Sequence, residues 1–144
     1  MAETPQGAGL SWLASPLPLL GLLLMALNDH WLRAEWPGPL TWKLSDVAVL
    51  LYFPALLCAL WSLFPRPWRP RPSSRAGVLL SCALSGGALA AINLSPAASE
   101  LYVGTLEFAL AGSFAYTPDP SDCWALIVLP VVAWDGLRRL GGSE

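Results

Sequence analysis

The sequence predicts an all-α protein: a polytopic membrane bundle of four transmembrane helices, with one further interfacial or re-entrant helix. Three observations lead to this fold class. Hydrophobic residues make up 55% of the 144 residues and charged residues only 12%, whereas soluble domains carry about 25% charged residues. The apolar residues form runs long enough to cross a bilayer. Most of the arginines lie in one loop and near the C-terminus, as expected of a membrane protein with a fixed orientation.

Three segments have about the 17–25 residues that a membrane-crossing helix needs, and a fourth, whose apolar run covers only residues 123–134, must include flanking residues to cross. They are residues 10–27, 47–64, 76–93 and 120–137, all within a single membrane domain of residues 1–144. Pro16, Pro18 and Pro54 lie inside the first two, where neighbouring helices can satisfy the carbonyl groups that proline leaves free. No lysine or arginine precedes the first segment, so we interpret it as a retained span and not as a cleaved signal.

A fifth apolar segment, residues 97–117, is less hydrophobic and contains Glu100 and Glu107. Because these carboxylates are seven residues apart, they share one face of a helix. We expect this segment to be an interfacial or re-entrant helix, and the alternative is a fifth transmembrane helix. The two topologies place the C-terminus on different sides of the membrane. Four spans put it on the same side as the N-terminus, and five put it on the opposite side.

The positive charges predict the orientation of the bundle. The loop between the second and third spans contains four arginines: Arg66, Arg69, Arg71 and Arg75. Loops rich in arginine remain in the cytoplasm. Four spans also place Arg138 and Arg139 in the cytoplasm, which favours four spans over five. We therefore expect a multi-pass protein of the bacterial inner membrane, with both termini in the cytoplasm.

The tryptophans fit this orientation, because tryptophan collects at membrane–water interfaces. In the four-span topology, the outer boundary holds Trp31, Trp36, Trp42 and Trp124. The inner boundary holds Trp12, Trp61, Trp68 and Trp134.

The third span contains small residues at a spacing of four, which lets helix backbones approach closely. The residues that we expect to pack against neighbouring helices are Ser81, Ser85, Gly86 and Gly87. The alternative is a helix that is merely rich in alanine.

Polar residues converge at the outer ends of all four spans. The motifs "NDH", "KLSD" and "PDPSD" supply the candidate site residues Asp29, His30, Asp46, Asp119 and Asp122, supported by Asn28, Lys43, Ser45 and Asn93. Helix capping is the simpler explanation of each motif taken alone. However, these ends carry more polar side chains than capping needs, and the short last span draws Asp122 towards membrane depth. Ionisable residues at that depth usually mark function.

Several chemistries suit this set of one histidine and several carboxylates. It is rich in oxygen ligands, as Mg²⁺, Mn²⁺ or Ca²⁺ requires, and a zinc or iron ion with open positions is an alternative. A proton relay through His30 beside Asp29 or Asp46 would also fit. A third arrangement is a clamp in which Lys43 pairs with Asp122 and no ligand binds. A serine nucleophile is disfavoured, because neither Ser45 nor Ser121 lies in a G-x-S-x-G motif.

Three functions remain open at this point. The first is a membrane protein that binds a divalent metal or a proton at its extracytoplasmic ends, whether or not it is an enzyme. The second is a structural or accessory subunit of a membrane complex or homo-oligomer, and the third is a small transporter. The lipid bilayer is a partner in all three. A net charge of −2 argues against nucleic acid as a partner.

The segments "NDHWLR", "WPGPLTWKLSDVAVLLYFP" and "PDPSD" resemble small uncharacterised bacterial multi-pass membrane proteins. Those proteins carry an Asn-Asp-His, a Lys-Leu-Ser-Asp and an Asp-Pro-Ser/Thr-Asp motif. The resemblance covers the outer-end motifs and the second span. It implies a membrane bundle and no particular activity.

Overall fold

The computed structural model describes residues 5–62 and 75–140, and every regular element in these ranges is helical. The α-helices are α1 (Pro5–Leu13), α2 (Pro16–Leu27), α3 (Arg33–Glu35), α4 (Pro39–Trp61), α5 (Arg75–Leu94), α6 (Pro96–Leu110) and α7 (Leu129–Leu140). A π-helix (Asn28–Leu32) joins α2 to α3, and a 3-10 helix (Pro120–Val128) leads into α7. The all-helical prediction is confirmed for these residues. Arg66, Trp68, Arg69 and Arg71 lie outside them.

The first predicted span is divided into α1 and α2, which both run antiparallel to α4. The division falls at Ala14 and Ser15, just before Pro16 at the first position of α2, because proline lacks the N–H that would continue the helix. Gly21 lets α2 approach α4 closely. A Cβ atom at Gly21 would lie 2.7 Å from Leu51 Cβ.

The "NDH" triplet is not the end of a helix, as capping would require. It lies in the π-helix, and the backbone remains helical from Pro16 to Glu35. A π-turn inserts one extra residue into a helix and turns the side chains that follow it. Asn28 comes before the inserted residue, since its backbone N–H still bonds to the Leu24 carbonyl. It is fully buried on the same helix face as Gly21, seven residues earlier, whereas the neighbouring His30 is exposed.

Helices α4 and α5 and the last segment form the core of the bundle. Cys58 Sγ of α4 lies 3.2 Å from Ser81 Oγ of α5, while Leu50 packs with Leu89, so the two helices are antiparallel. The last segment is antiparallel to α5 in turn. Its Ala125 packs with Leu89 near one end, and its residues Val132 and Gly136 contact Val78 near the other.

The last segment combines two helix types and is longer than its residue count suggests. A 3-10 helix rises about 2 Å per residue and an α-helix about 1.5 Å, so Pro120–Leu140 extends roughly 36 Å. That length exceeds the hydrocarbon thickness of a bilayer, about 30 Å. The segment starts close to the predicted boundary at residue 120.

Helix α6 is part of an excursion that starts and ends at one end of the bundle. The chain leaves α5 after Asn93, forms α6, and returns when the backbone N–H of Asp119 donates to Asn93 Oδ1 over 3.1 Å. The helix ends at Leu110, seven residues before the predicted limit, and Ala111 is left-handed. Its fifteen residues rise about 22 Å, less than the roughly 30 Å of a hydrocarbon core.

Two described helices, α4 and α5, are long and apolar enough to cross a membrane, judged by length and composition. Helices of this kind also form the cores of soluble proteins. Helix α4 begins at Pro39, eight residues before the predicted span. "KLSD" is therefore inside the helix, and the expectation that Ser45 caps it is wrong.

The small residues of α5 point to two different sides. Ser81, Ser85 and Gly86 are buried against neighbouring helices, as expected for packing residues. Gly87 is exposed, and a Cβ atom there would meet no atom within 4 Å. Gly87 follows Gly86 directly and so points about 100° away from it around the helix, and its packing against a further helix or another chain stays a prediction.

Candidate functional site: a polar cavity at one end of the bundle

The bundle has a cavity of about 540 Å³ at the end where α4 and the 3-10 helix begin, here the cavity end. It is large enough for a small molecule. Its lining comes from α3, α4, the segment before the 3-10 helix, and that helix: Arg33, Pro39, Trp42, Lys43, Ser45, Asp46, Ala115, Tyr116, Thr117, Asp119 and Asp122. Three of the five predicted site residues, Asp46, Asp119 and Asp122, therefore share one cavity.

Lys43 ties α4 to the start of the 3-10 helix. Its Nζ lies 2.9 Å from Asp122 Oδ1 and 3.7 Å from Asp119 Oδ2, and it also donates to the hydroxyl of Ser121. Asp122 is largely buried, with 18% of its side chain exposed. Lys43 thus takes the place that a cation bound by these two carboxylates would occupy.

Asp119 caps the 3-10 helix, as the capping interpretation predicts. Its Oδ1 accepts hydrogen bonds from the backbone N–H of Ser121 at 2.9 Å and from the Ser121 hydroxyl at 2.7 Å. These bonds, with a smaller contribution from Lys43, lower the pKa of Asp119 below its usual value. Pro120 occupies the first turn, where its missing N–H costs nothing.

The second cation of the cavity, Arg33, is held by Asp29 and Ser45. Arg33 lies 3.7 Å from Asp29 Oδ1, and it donates to Ser45 Oγ over 3.0 Å. Ser45 also accepts a 2.7 Å bond from the Nδ2 of Asn28, which donates to the Thr41 carbonyl at 2.7 Å as well. This network fixes the π-helix against α4 and leaves Asp29 paired.

Asp46 is the carboxylate without a partner. It is half-buried and lines the cavity, and no group among residues 5–62 and 75–140 donates a hydrogen bond to it or forms an ion pair with it. The charges nearest to it are those of Asp122, Lys43, Arg33 and Asp119. Asp29, Asp119 and Asp122 each have a cation or a donor, so Asp46 alone is available to a ligand.

Asn93 holds the non-helical segment 111–119, here the strap, against the cavity. Its buried side chain donates to the Leu89 carbonyl over 3.0 Å, and its Oδ1 accepts a 2.8 Å bond from the Tyr116 hydroxyl. Burial, together with the charges of Asp46 and Asp122, raises the pKa of Tyr116 to about 12. Tyr116 therefore remains a hydrogen-bond donor at neutral pH.

His30 does not line the cavity. It is exposed, and the described chain offers it no hydrogen bond or ion pair. No group of three or more His, Cys, Asp and Glu side chains in the described ranges has an arrangement that could hold a metal ion. The expected cluster of one histidine with several carboxylates is not assembled, because Asn28, and not His30, lies on the face of the helix that packs against α4.

Sequence reasoning missed Arg33 and Tyr116. Arg33 lies four residues after Asp29, a spacing that pairs charges on a helix and could have identified it. Tyr116 lies one residue before the end of the predicted interfacial helix, and no signal marked the strap. Comparison with protein-family models, curated proteins and solved structures finds no match to this chain.

Proposed function

We propose that the protein is a small membrane protein of four spans, whose cavity binds a cation or a proton on the outer side through Asp46. The observation that carries this proposal is the carboxylate of Asp46, half-buried on the cavity wall and without a partner among the described residues. The neighbouring aspartates already form ion pairs, Asp119 and Asp122 with Lys43 and Asp29 with Arg33. The proposal has two parts, the membrane and the site.

Exposed apolar surface supports the membrane part. Only 39% of the most apolar stretch of α4 and 44% of that of α5 are buried, far less than in a core helix of a soluble protein. Helix α2 also exposes a group of leucines, each with at least 41% of its surface accessible: Leu19, Leu20, Leu22, Leu23 and Leu27. Apolar surface of this size needs a cover, and lipid provides one for every helix at once.

Tryptophan and charge support the orientation. The cavity end carries four tryptophans that are each more than half exposed: Trp31, Trp36, Trp42 and Trp124. Such a girdle is typical of a membrane–water interface. Arg75, Arg138 and Arg139 lie at the opposite end, where α5 begins and α7 ends, and basic residues favour the cytoplasmic side. The cavity would then face outward.

The excursion through α6 supports four spans over five. It returns to Asn93 at the end from which it leaves, and α6 is too short to cross the hydrocarbon. With α1 and α2 as one kinked span, the chain crosses four times, and α6 is interfacial or re-entrant.

Energetics favour a cation or proton at Asp46. Desolvating a carboxylate that lacks a compensating partner costs free energy. The cavity and the Arg33 network beside it contain four carboxylates and only two cations, Lys43 and Arg33. The resulting negative charge attracts positive ligands. A proton or a singly charged cation needs only the one free carboxylate, whereas a divalent metal would also need those already held by Lys43 and Arg33.

The apolar cluster beneath the cavity disfavours the passage of a cation across the bundle. One helical turn below Asp46, Leu50 packs with Leu89 and Ala125 in an apolar cluster. A cation would meet no polar group there. The arrangement therefore supports binding at one face and not transport through a single chain.

The test is ligand-dependent stability of the detergent-purified protein. We expect methylammonium chloride, compared with sodium chloride at equal ionic strength, to raise the unfolding temperature of the wild type. The stabilisation reaches about 1.4 kcal/mol at ten times the dissociation constant. Asp46→Asn should abolish this shift, and the exposed Glu35→Gln should retain it. Magnesium chloride serves as a second probe, for the metal alternative.

Equal shifts in the wild type and Asp46→Asn would show that the cation acts elsewhere. If methylammonium and magnesium both leave the wild type unchanged, and Asp46 titrates no higher than an ordinary aspartate, whose pKa is about 3.9, the site proposal is wrong.

A further inference from the structure

The strap separates two cavities. On one side lies the polar cavity, and on the other lies a second cavity of about 380 Å³ between the strap and α6. Ala115 and Tyr116 line both of them. A segment with empty space on each side has room to move in either direction.

The strap is attached at few points between its ends. Tyr116 and Asp119 bond to Asn93 Oδ1, and the backbone N–H of Phe114 donates to Glu107 of α6 over a long 3.3 Å. Apart from Tyr116, all residues of the strap are exposed. The strap begins at Ala111, which has a φ of 49°, and Gly112 follows.

The space behind the strap is accessible to Tyr116. The ring of Tyr116 already contacts Tyr102 of α6 edge to face, with centroids 5.6 Å apart. Gly104 lines the second cavity, and a Cβ atom there would meet nothing within 4 Å. When the bond to Asn93 breaks, the ring can move towards α6 without displacing packed side chains.

We propose that the strap is the gate of the polar cavity, and that the hydrogen bond from Tyr116 to Asn93 holds it closed. Opening moves the strap into the second cavity and exposes the wall that bears Asp46. Asn93 is a positioning residue, since one oxygen holds both Tyr116 and the backbone of Asp119. This inference rests on the proposed function for its purpose, and its test depends only on access to the cavity.

The experiment measures access with a cysteine on the cavity wall. Asp46→Cys is the reporter, in a Cys123→Ser background, because Cys58 and Cys82 are buried. The probe is a small trimethylammonium methanethiosulfonate applied to the detergent-purified protein. We expect Tyr116→Phe to speed labelling about fivefold, the factor by which losing one ordinary hydrogen bond shifts an equilibrium.

A second variant acts in the opposite direction. Gly104→Leu fills the space behind the strap and should slow labelling below the rate of the parent. Two matched controls should leave the rate unchanged: Tyr102→Phe, which keeps the ring contact, and Gly87→Leu, which fills open space on α5. Helix content by circular dichroism verifies that each variant is folded.

The gate is refuted if Tyr116→Phe labels at the parent rate, or if Gly104→Leu does not slow labelling. Neither result bears on cation binding, which is measured with Asp46 in place. Conversely, opposite effects of the two variants would support the gate even if methylammonium failed to bind.

Discussion

The two ends of the bundle use similar groups in different ways. At the end opposite the cavity, Trp12 is fully buried, and its Nε1 donates to Asp135 Oδ2 over 3.1 Å. Asp135 is also paired with Arg139 at 2.9 Å. At the cavity end, Lys43, Arg33 and three aspartates line an open cavity, and a fourth aspartate, Asp29, pairs with Arg33 beside it. Asp46 has no partner among the described residues.

The comparison shows how the buried indole ring of Trp12 stabilises its end of the bundle. The indole of Trp12 fills the space between α1, α5 and α7, so one carboxylate suffices to satisfy its N–H. At the cavity end, Trp42 lines the cavity but is 58% exposed and fills no such space, and most of the polar groups there pair with one another. We infer that the packed end stabilises the bundle, which allows the cavity end to keep a destabilising carboxylate for a ligand.

The largest expected effect comes from emptying the packed end. Trp12→Ala should lower the free energy of unfolding in detergent by about 4 kcal/mol, because a large buried side chain is lost and a cavity remains. Trp36→Ala, at a residue that is 64% exposed, is the matched control and should change little. Similar losses for both variants would contradict the contrast between the ends.

Overfilling the packed end comes next. A Cβ atom at Gly136 would lie 2.6 Å from Trp12 Cζ2 and 2.8 Å from Val78 Cγ1, and neither side chain is free to move. We expect Gly136→Ala to cost about 2 kcal/mol in denaturant unfolding. Gly87→Ala, which meets only open space, should be neutral. A neutral Gly136→Ala would mean that this end is loosely packed.

Removing a paired carboxylate at the cavity end should have a smaller effect. Asp122→Asn removes the negative charge that lies 2.9 Å from Lys43 Nζ and leaves it with the Asp119 carboxylate at 3.7 Å and the Ser121 hydroxyl. A loss of about 1 kcal/mol in unfolding free energy is expected for this partly exposed pair. The exposed Glu100→Gln serves as a control. An unchanged stability would show that the Lys43 clamp contributes nothing.

The smallest effect is spectroscopic. Absorbance at alkaline pH should reveal a tyrosine that ionises near pH 12 and is missing in Tyr116→Phe. Because folding raises this pKa above the usual 10.0, the contribution of Tyr116 to stability is present below pH 10 and is lost as the pH rises towards 12. Asp46→Asn should lower the pKa, since the charge of Asp46 helps to raise it. An unaltered pKa of Tyr116 would show that the charge of Asp46 does not act on it.

The helical fold and much of the site could be predicted from the sequence. Apolar runs predict helices, and acidic residues at the ends of these runs pointed to Asp46, Asp119 and Asp122. Helix boundaries were harder to predict from the sequence, because hydropathy indicates where a helix is apolar and not where it begins. Helix α4 starts at Pro39 although its apolar run starts at Val47.

His30 and Asn93 show why the rest could not be predicted. The exposure of His30 depends on which face of its helix packs against α4, and the motif alone does not give that face. The role of Asn93 depends on contacts with residues more than twenty positions away. Local patterns contain no information about such pairings.

The free energy of unfolding of Asp46→Asn, measured in detergent without added ligand, tests the central claim most directly. If Asp46 is kept unpaired for a cation or a proton, removing its charge at neutral pH relieves a desolvated group. The variant should then be more stable than the wild type by about 1 kcal/mol. A variant less stable than the wild type would show that Asp46 serves the fold, and would contradict the proposed site.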